Sequence, residues 1–182
     1  MARFVGIDPS TKTGFVALDE HGNVVRAKEL TGVGGSDPKR MVTLIDEVMR
    51  HLQPEDIICI EGFGFASQQA IQLGGIGWGI RMALYRRGIA YTEVSPSQVK
   101  KFASGKGNTK KDEMAVHIYK RWGFEHSSDN VRDAFVLAQI ARAVNRRKTA
   151  VYDEYMLPTY QLEVINSIVN PPKKLKRKKV AK

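Results

Sequence analysis

The chain of 182 residues is long enough for one sizeable hydrophobic core, and its composition is ordinary for an α/β protein. It has no apolar run near the roughly 18 residues that a membrane span needs, so we expect a cytoplasmic protein with no membrane partner. The single cysteine, Cys59, excludes an internal disulfide and a cysteine-rich zinc site. The formal net charge of +10 favours a polyanionic partner, most often nucleic acid.

The first third of the chain predicts strands followed by a helix. Strands are expected at residues 3–8, 14–19 and 23–31, the last two joined by the hairpin-like turn DEHGN. Apolar residues at helical spacing predict a helix over 36–53. Ser36 or Asp37 is expected to cap this helix, with Pro38 in its first turn.

The middle and end of the chain alternate strands with helices. The segment DIICIEG, residues 56–62, is short and almost continuously apolar, which is typical of a strand covered on both faces. The helix expected over 108–123 has a Thr109 to Asp112 spacing that resembles a capping box. Other helices are expected over 67–88, 96–105 and 127–147, a strand over 89–95, and a weaker amphipathic helix over 158–169.

This element order predicts the fold class. An antiparallel meander followed by α/β crossovers gives an α/β fold in which a mixed five-stranded sheet is flanked by helices. We expect residues 1–147 to form one domain. Residues 148–182 would be a C-terminal extension ending in the basic sequence KKLKRKK.

Two acidic residues stand at the ends of predicted strands. Asp8 ends the first strand and Glu61 ends the fourth. Sites in α/β sheets gather at the carboxyl ends of strands. If the first and fourth strands are adjacent and parallel, the two carboxylates will face each other.

A third acid, Asp133, lies in the first turns of the last strong helix. Asp129 and Asn130 precede it by four and three residues and would share its face. Ala134 and Ala138 form a small-residue flank that would let this helix approach the sheet closely, bringing Asp133 over the strand ends.

Clustered carboxylates repel one another in a poorly solvated site unless a cation lies among them. All-oxygen ligation without histidine or thiolate indicates Mg²⁺ or Mn²⁺, and two such ions about 4 Å apart can support phosphodiester cleavage. Each acid also has a simpler explanation. Asp8 can stabilise the turn after it, Asp129 can cap a helix, and Glu61 can pair with a lysine.

Four segments in this order resemble motifs of the RuvC-like Holliday-junction resolvases, over roughly residues 1–147. They are GIDPSTKTG, CIEGFGF, SPSQVKKFASGKGNTKKDEM and DNVRDAFVLAQIA. These segments are most similar in sequence to the bacteriophage branch of the family. Membership of that branch would place the protein in the cytoplasm of a bacterial host cell.

The resemblance implies an RNase H-like fold and a homodimer that nicks branched DNA with two divalent ions per site. It implies that Asp8, Glu61 and Asp133 are three of the four metal-binding acids. The fourth acid usually lies three residues before the last, where this chain has Asn130. Three interpretations are open: Asp129 takes over this role, Asn130 is a weaker, neutral ligand, or Asn130 is a deliberate replacement of aspartate that silences the enzyme. Activity would fall in the second and third cases.

The resemblance also suggests DNA contacts. One of Lys110 and Lys111 would steady the scissile phosphate. Phe63 and Phe65, after Glu61, would stack on or wedge between bases, or simply pack. The full set of basic candidates around the loop and helix start is Lys100, Lys101, Lys106, Lys110 and Lys111.

Three further expectations concern the rest of the chain. The glycine-rich helix that carries Trp78 and Met82 is expected at the dimer interface. His117 and His126 are expected to be surface or packing residues rather than ligands. The alternatives to a nuclease are a non-catalytic binder of branched DNA, favoured if Asn130 weakens metal binding, and an actin-like ATP-binding protein, since GIDPSTKTG also resembles that phosphate loop.

Overall fold

The computed structural model describes residues 2–63, 69–148 and 157–171 of the chain. Within these residues the strands are β1 (Phe4–Asp8), β2 (Thr13–Leu18), β3 (Val24–Leu30), β4 (Ile57–Glu61) and β5 (Tyr91–Val94). The helices are α1 (Lys39–His51), α2 (Ala70–Arg86), α3 (Pro96–Ser104), α4 (Lys111–Trp122), α5 (Asp129–Lys148) and α6 (Thr159–Val169). None of them is long and apolar enough to cross a membrane.

The strands form one mixed sheet in the order β3-β2-β1-β4-β5. β2 is antiparallel to both β1 and β3, whereas β4 is parallel to both β1 and β5. The predicted mixed five-stranded sheet is therefore confirmed. The condition that would bring Asp8 and Glu61 together, adjacent and parallel first and fourth strands, is also met.

Side-chain alternation decides which acids share a face of the sheet. Phe4 of β1 and Cys59 of β4 are buried in the hydrophobic cluster formed with α5, whereas the residues next to them pack against α1 and α2. Because side chains in a strand alternate between faces, Asp8 and Glu61 lie on the same face as Phe4 and Cys59. Both acids therefore project from the face that α5 covers.

Two glycines allow α5 to lie directly on the sheet. A Cβ atom at Gly6 of β1 would be 1.9 Å from the Ala134 carbonyl oxygen, and one at Gly14 of β2 would be 1.9 Å from the Asn130 carbonyl oxygen. Any larger residue at either position would push the helix away. The predicted close approach through Ala134 and Ala138 is confirmed, since both are fully buried, but the part played by the two glycines was not predicted.

Predictions about helix starts were less successful. α1 begins after Pro38, which is the N-cap residue rather than part of the first turn, and neither Ser36 nor Asp37 caps the helix. The side chain of Asp37 instead accepts hydrogen bonds from Arg40 and from Gln72 of α2.

The expected Thr109–Asp112 capping box of α4 is also wrong. Lys110 is the N-cap residue of this helix, and the buried Thr109 hydroxyl donates to the Lys106 carbonyl oxygen at 2.9 Å. A capping box occurs instead at α3. There the Ser95 N–H donates to Gln98 Oε1 at 2.8 Å, and the Gln98 N–H donates to Ser95 Oγ at 3.3 Å.

The predicted helix near the C-terminus is confirmed as α6, which runs antiparallel to α3. Gln161, early in α6, donates to the Phe102 carbonyl oxygen at 2.8 Å, and Gln98, early in α3, donates to Ser167 Oγ at 2.9 Å. α6 shares a hydrophobic cluster with α5. The division of the chain at residue 147 stays a prediction, and the basic end after residue 171 lies outside the described residues.

Candidate functional site

Asp8 and Glu61 meet at the carboxyl ends of the two central strands. The last parallel pair between β1 and β4 is Ile7 with Ile60, so the two acids follow at the same level. Asp8 is 6% exposed, and its carboxyl group lies close enough to that of Glu61 for the two groups to interact directly. Two buried carboxylates at such short range repel each other, so the pair favours the uptake of a proton or another cation.

Asp133 joins this pair from α5. Burial, and after it the charge of Asp8, raises the pKa of Asp133 to about 7. Burial also raises the pKa of Glu61 to about 7, with the charge of Asp133 adding to the effect. Burial and then the charge of Glu61 raise the pKa of Asp8 well above its usual range. Desolvation and mutual repulsion thus both favour the uptake of positive charge by these acids.

Among the described residues, Lys111 is a cation that acts on all of these acids. It lowers the pKa of Asp8, Glu61 and Asp133, and it forms an ion pair with Asp129. The hydrogen bond between Lys111 and Asp129 raises the pKa of the lysine and lowers that of the aspartate. Their side chains are 64% and 38% exposed, so this pair adds little stability and can exchange.

Asn130 ties α5 to the turn after β1. Its side-chain nitrogen donates to the Lys12 carbonyl oxygen at 2.7 Å and to Ser10 Oγ at 3.1 Å. The Thr13 hydroxyl also donates to the Ser10 carbonyl oxygen at 2.6 Å. This turn is therefore stabilised by Ser10, Thr13 and Asn130, and the burial of Asp8 is not explained by a role in holding it.

The acidic cluster fits a divalent cation in its chemistry. Its side chains offer only oxygen donors, which Mg²⁺ and Mn²⁺ prefer, and burial leaves their charges poorly compensated. In the described part of the chain, no group of at least three carboxylate, imidazole or thiolate side chains is already arranged to hold a metal ion. Burial and the charge of Glu61 raise the pKa of Asp8, and a bound cation would relieve that repulsion.

The five candidate lysines occupy different settings. Lys110 and Lys106 are exposed at the start of α4 and in the preceding loop. Lys100 is close enough to Glu61 to lower its pKa. Lys101 faces α6 instead, with its Nζ 2.7 Å from a Glu163 carboxylate oxygen.

The aromatic and histidine candidates lie outside the acidic cluster where the structure describes them. The ring centroids of Phe63 and Trp78 are 5.4 Å apart, so Phe63 packs on α2 in this structure. Phe65 lies outside the described residues. His117 is exposed, and His126 accepts a hydrogen bond from the Ser128 N–H, as expected of surface and packing residues.

Sequence reasoning missed Arg81, a buried charged residue on α2 whose side chain contacts Phe63 and the end of β4. The available signal was its position four residues after Gly77 and three before Leu84, on the buried face of a helix. The opposite face of α2 carries large exposed side chains, namely Ile71, Trp78, Met82 and Tyr85.

Comparison with known proteins identifies the family of the chain. Residues 4–142 match the family Crossover junction endodeoxyribonuclease RuvC. The chain is 32% identical over 149 residues to the RuvC protein of Thermomicrobium roseum, covering 75% of this chain and 90% of that protein.

Two solved structures share the fold. The RuvC structure of Thermus thermophilus has a TM-score of 0.63 at 18% identity, covering 80% of this chain and 95% of the other. The T. thermophilus RuvC in complex with a Holliday junction substrate has a TM-score of 0.58 at 20% identity, covering 80% and 94%. The mixed five-stranded sheet with its helices is thus an RNase H-like fold, and the chain belongs to the RuvC family of crossover junction endodeoxyribonucleases.

Proposed function

We propose that the protein is a divalent-metal-dependent, structure-selective endonuclease that cleaves Holliday junctions and other branched DNA. The observation that carries the proposal is the desolvated acid cluster of Asp8, Glu61 and Asp133 at one edge of the sheet, in a chain of net charge +10. The family match, which includes the GIDPSTKTG turn, supports this function over an actin-like ATP-binding protein.

Asp8, Glu61 and Asp133 would hold Mg²⁺ or Mn²⁺, and we propose two ions per site. Bound ions of this kind supply an activated water and stabilise the leaving oxygen in phosphodiester hydrolysis. The protein itself would hold the three carboxylates deprotonated around the ions and would align the phosphate. The products would carry 5′-phosphate and 3′-hydroxyl ends.

We propose that Asp129, rather than Asn130, supplies the fourth acid. The Asn130 side-chain nitrogen is engaged with Lys12 and Ser10, whereas the ion pair of Asp129 with Lys111 is exposed and exchangeable. Movement of Asp129 toward a cation would release Lys111. The freed ammonium group would then be available to the scissile phosphate, with Lys110 beside it at the helix start.

The DNA partner and the assembly are argued from surface features. Lys100 acts on Glu61, and Lys106 and Lys110 are exposed in the loop before α4 and at its start. All three would contact phosphates. The exposed side chains of α2, which include Trp78 and Met82, support a symmetric homodimer that makes paired nicks in a junction. We further propose that the protein belongs to the bacteriophage branch and acts in the cytoplasm of the host cell.

The direct test is incubation of the protein with a synthetic four-way junction and Mg²⁺, alongside an Asp8→Asn variant and a linear duplex of the same sequence. We expect symmetric nicks by the unmodified protein only, in the junction only, with ends that a DNA ligase can rejoin. Equal cleavage by both proteins would refute the metal-site assignment. Equal cleavage of junction and duplex would refute the structure selectivity.

A second candidate is a branched-DNA-binding protein with little or no nuclease activity. It is favoured by Asn130 at a position where the family has an acid. This candidate predicts tight junction binding without nicking in Mg²⁺ or Mn²⁺, and nicking by an Asn130→Asp variant. The variant would also lose the hydrogen bond to the Lys12 carbonyl oxygen, so its metal-free stability should fall by about 1–3 kcal/mol.

A further inference from the structure

The buried guanidinium group of Arg81 donates hydrogen bonds at the carboxyl end of β4. Its side chain is only 2% exposed. Nη2 donates to the Glu61 carbonyl oxygen at 2.9 Å and to Glu93 Oε2 at 2.8 Å, and Nε donates to the same Glu93 oxygen at 3.1 Å. Nη1 donates to the Gly77 carbonyl oxygen at 3.0 Å, one turn earlier in α2.

These partners do not depend on Arg81 equally. Glu93 is 52% exposed, so water can replace the guanidinium there. The Gly77 carbonyl lies in the interior of α2, where the helix supplies its own N–H donor. Glu61 lies one residue past the last pair between β1 and β4, although it is still paired with Val94 of β5. Arg81 is the side chain that donates to the Glu61 carbonyl oxygen, at the point where β1 no longer pairs with β4.

Arg81 restrains the backbone of Glu61, which the acid cluster itself does not do. Arg81 reaches the strand from the α2 side, whereas the Glu61 carboxylate projects to the α5 side beside Asp8. Fixing the carbonyl holds Glu61 in extended backbone. A change of strand register or backbone direction at this residue would turn its carboxylate away from Asp8.

Arg81 also contacts Phe63, the second residue after Glu61. Its guanidinium carbon is 4.3 Å from the centre of the Phe63 ring, close enough for a cation–π contact. The Gly62 N–H donates to the Val94 carbonyl oxygen at 2.8 Å and extends the sheet by one residue. Buried arginines are costly, and an apolar residue of similar volume often stabilises a core as well. Stability alone therefore does not explain a charge at this position.

From these contacts we propose that Arg81 is a positioning residue for the nuclease reaction. It acts through the backbone of Glu61 and the ring of Phe63, and it does not touch substrate or metal. The proposal rests on the proposed function, and it adds that the catalytic acid of β4 is oriented from the opposite face of the sheet.

The test compares three variants of the full chain. Arg81→Met removes the hydrogen bonds but keeps an apolar side chain of similar length. Arg81→Lys keeps the charge but cannot donate to Glu61, Gly77 and Glu93 together. Arg86→Met is the control, since it makes the same change at an exposed arginine of the same helix.

The first readout needs neither metal nor activity. Backbone amide exchange is measured residue by residue in the metal-free protein. We expect the Gly62 amide of Arg81→Met to exchange at least about tenfold faster, with the amides of Ile58 and Ile60 unchanged. Unchanged exchange at Gly62 in both Arg81 variants would overturn the proposal, whatever the protein does to DNA.

The second readout is cleavage of a four-way junction. Arg81→Met should lower kcat by about 10- to 100-fold with KM within about twofold of the unmodified protein, Arg81→Lys should lie between, and Arg86→Met should match the unmodified protein. Faster exchange at Gly62 with normal kcat would overturn the proposal. If the unmodified protein cuts no junction, the proposed function fails, and the proposal that this residue serves a nuclease reaction fails with it. In that case, the exchange rate of the Gly62 amide in the Arg81 variants still shows whether Arg81 holds the end of β4.

Discussion

The two ends of the central strands β1 and β4 carry opposite electrostatics. At their amino ends, Arg3 makes a bidentate pair with Asp56, with N–O distances of 2.9 and 2.7 Å, although the Asp56 side chain is only 1% exposed. At their carboxyl ends, the carboxyl groups of Asp8 and Glu61 lie side by side, and burial raises the pKa of both.

The difference separates a structural charge from a functional one. A buried carboxylate that only supports a fold is matched by a cation of the chain itself, as Asp56 is matched by Arg3. Among the described residues, the acids at the other end form no ion pair of this kind. The charges of Lys111, Lys100 and Arg132 lower their pKa values, but burial outweighs these charges and raises the pKa of Glu61 and of Asp133 to about 7. An ion from solution would complete that end, so it should contribute to activity at the expense of stability.

The largest expected effect is on stability at the amino ends. Asp56→Ala leaves Arg3 without its partner and should lower the free energy of unfolding by about 3–5 kcal/mol. Urea denaturation measures this, with Glu55→Ala as the exposed neighbour control. Junction cleavage by the folded fraction should be unchanged, and a loss of turnover without a loss of stability would contradict the comparison.

At the carboxyl ends the same kind of change should have the opposite sign. Asp8→Asn removes a charge from a repelling cluster, so the metal-free protein should gain about 1–2 kcal/mol while junction cleavage falls by more than about a hundredfold. Asp112→Asn makes the same charge change on exposed α4 and should alter neither quantity appreciably. A destabilised Asp8→Asn protein would show that Asp8 has a structural role.

The stability of the metal-free protein should depend on pH in a defined direction. Glu61 and Asp133 have folded-state pKa values of about 7, above their usual 4.5 and 3.8, so folding favours their protonated forms. Their contribution to the free energy of unfolding is complete below about pH 4. It is lost as the pH rises to about 7, at a rate of at most about 1.4 kcal/mol per pH unit for each group. Urea titrations in chelator measure the slope.

Two variants sharpen that measurement. Asp133→Asn should flatten the slope between pH 5 and pH 7. Asp129→Asn should leave the slope unchanged. Lys111 lowers the pKa of Asp129, so the stability that Asp129 contributes is lost only at lower pH, as the pH falls through that pKa. Stability that increases with pH in this window would contradict the assignment of the acid cluster.

The smallest effect distinguishes two adjacent lysines near the acidic end. Lys100 acts on Glu61, whereas Lys101 is paired with Glu163 of α6. Lys100→Ala should therefore weaken junction binding and reduce its dependence on the logarithm of salt concentration by about one. Lys101→Ala should leave both nearly unchanged. Equal effects would show that the Lys101 pair opens on DNA.

Much of the site could be predicted because it depends on local pattern and simple topology. Asp8 and Glu61 end apolar strands, and parallel neighbours bring such ends together. The Ala134 and Ala138 flank indicated that α5 would lie on the sheet. The capping residues of α1 and α4 were predicted wrongly. Asp37 is engaged by Arg40, three residues later, and by Gln72 of α2, and a loop carbonyl engages Thr109.

The sequence by itself determined the order of strands and helices, the acids at the strand ends and the basic character of the surface, since each depends on periodicity, position and composition. Only the tertiary structure decided that Gly6 and Gly14 admit α5, that Asn130 binds the turn after β1 while Asp129 pairs with Lys111, and that Arg81 holds Glu61 from the far face. The physical reason is distance along the chain. These contacts join residues from different elements, and no local pattern encodes which of them will meet.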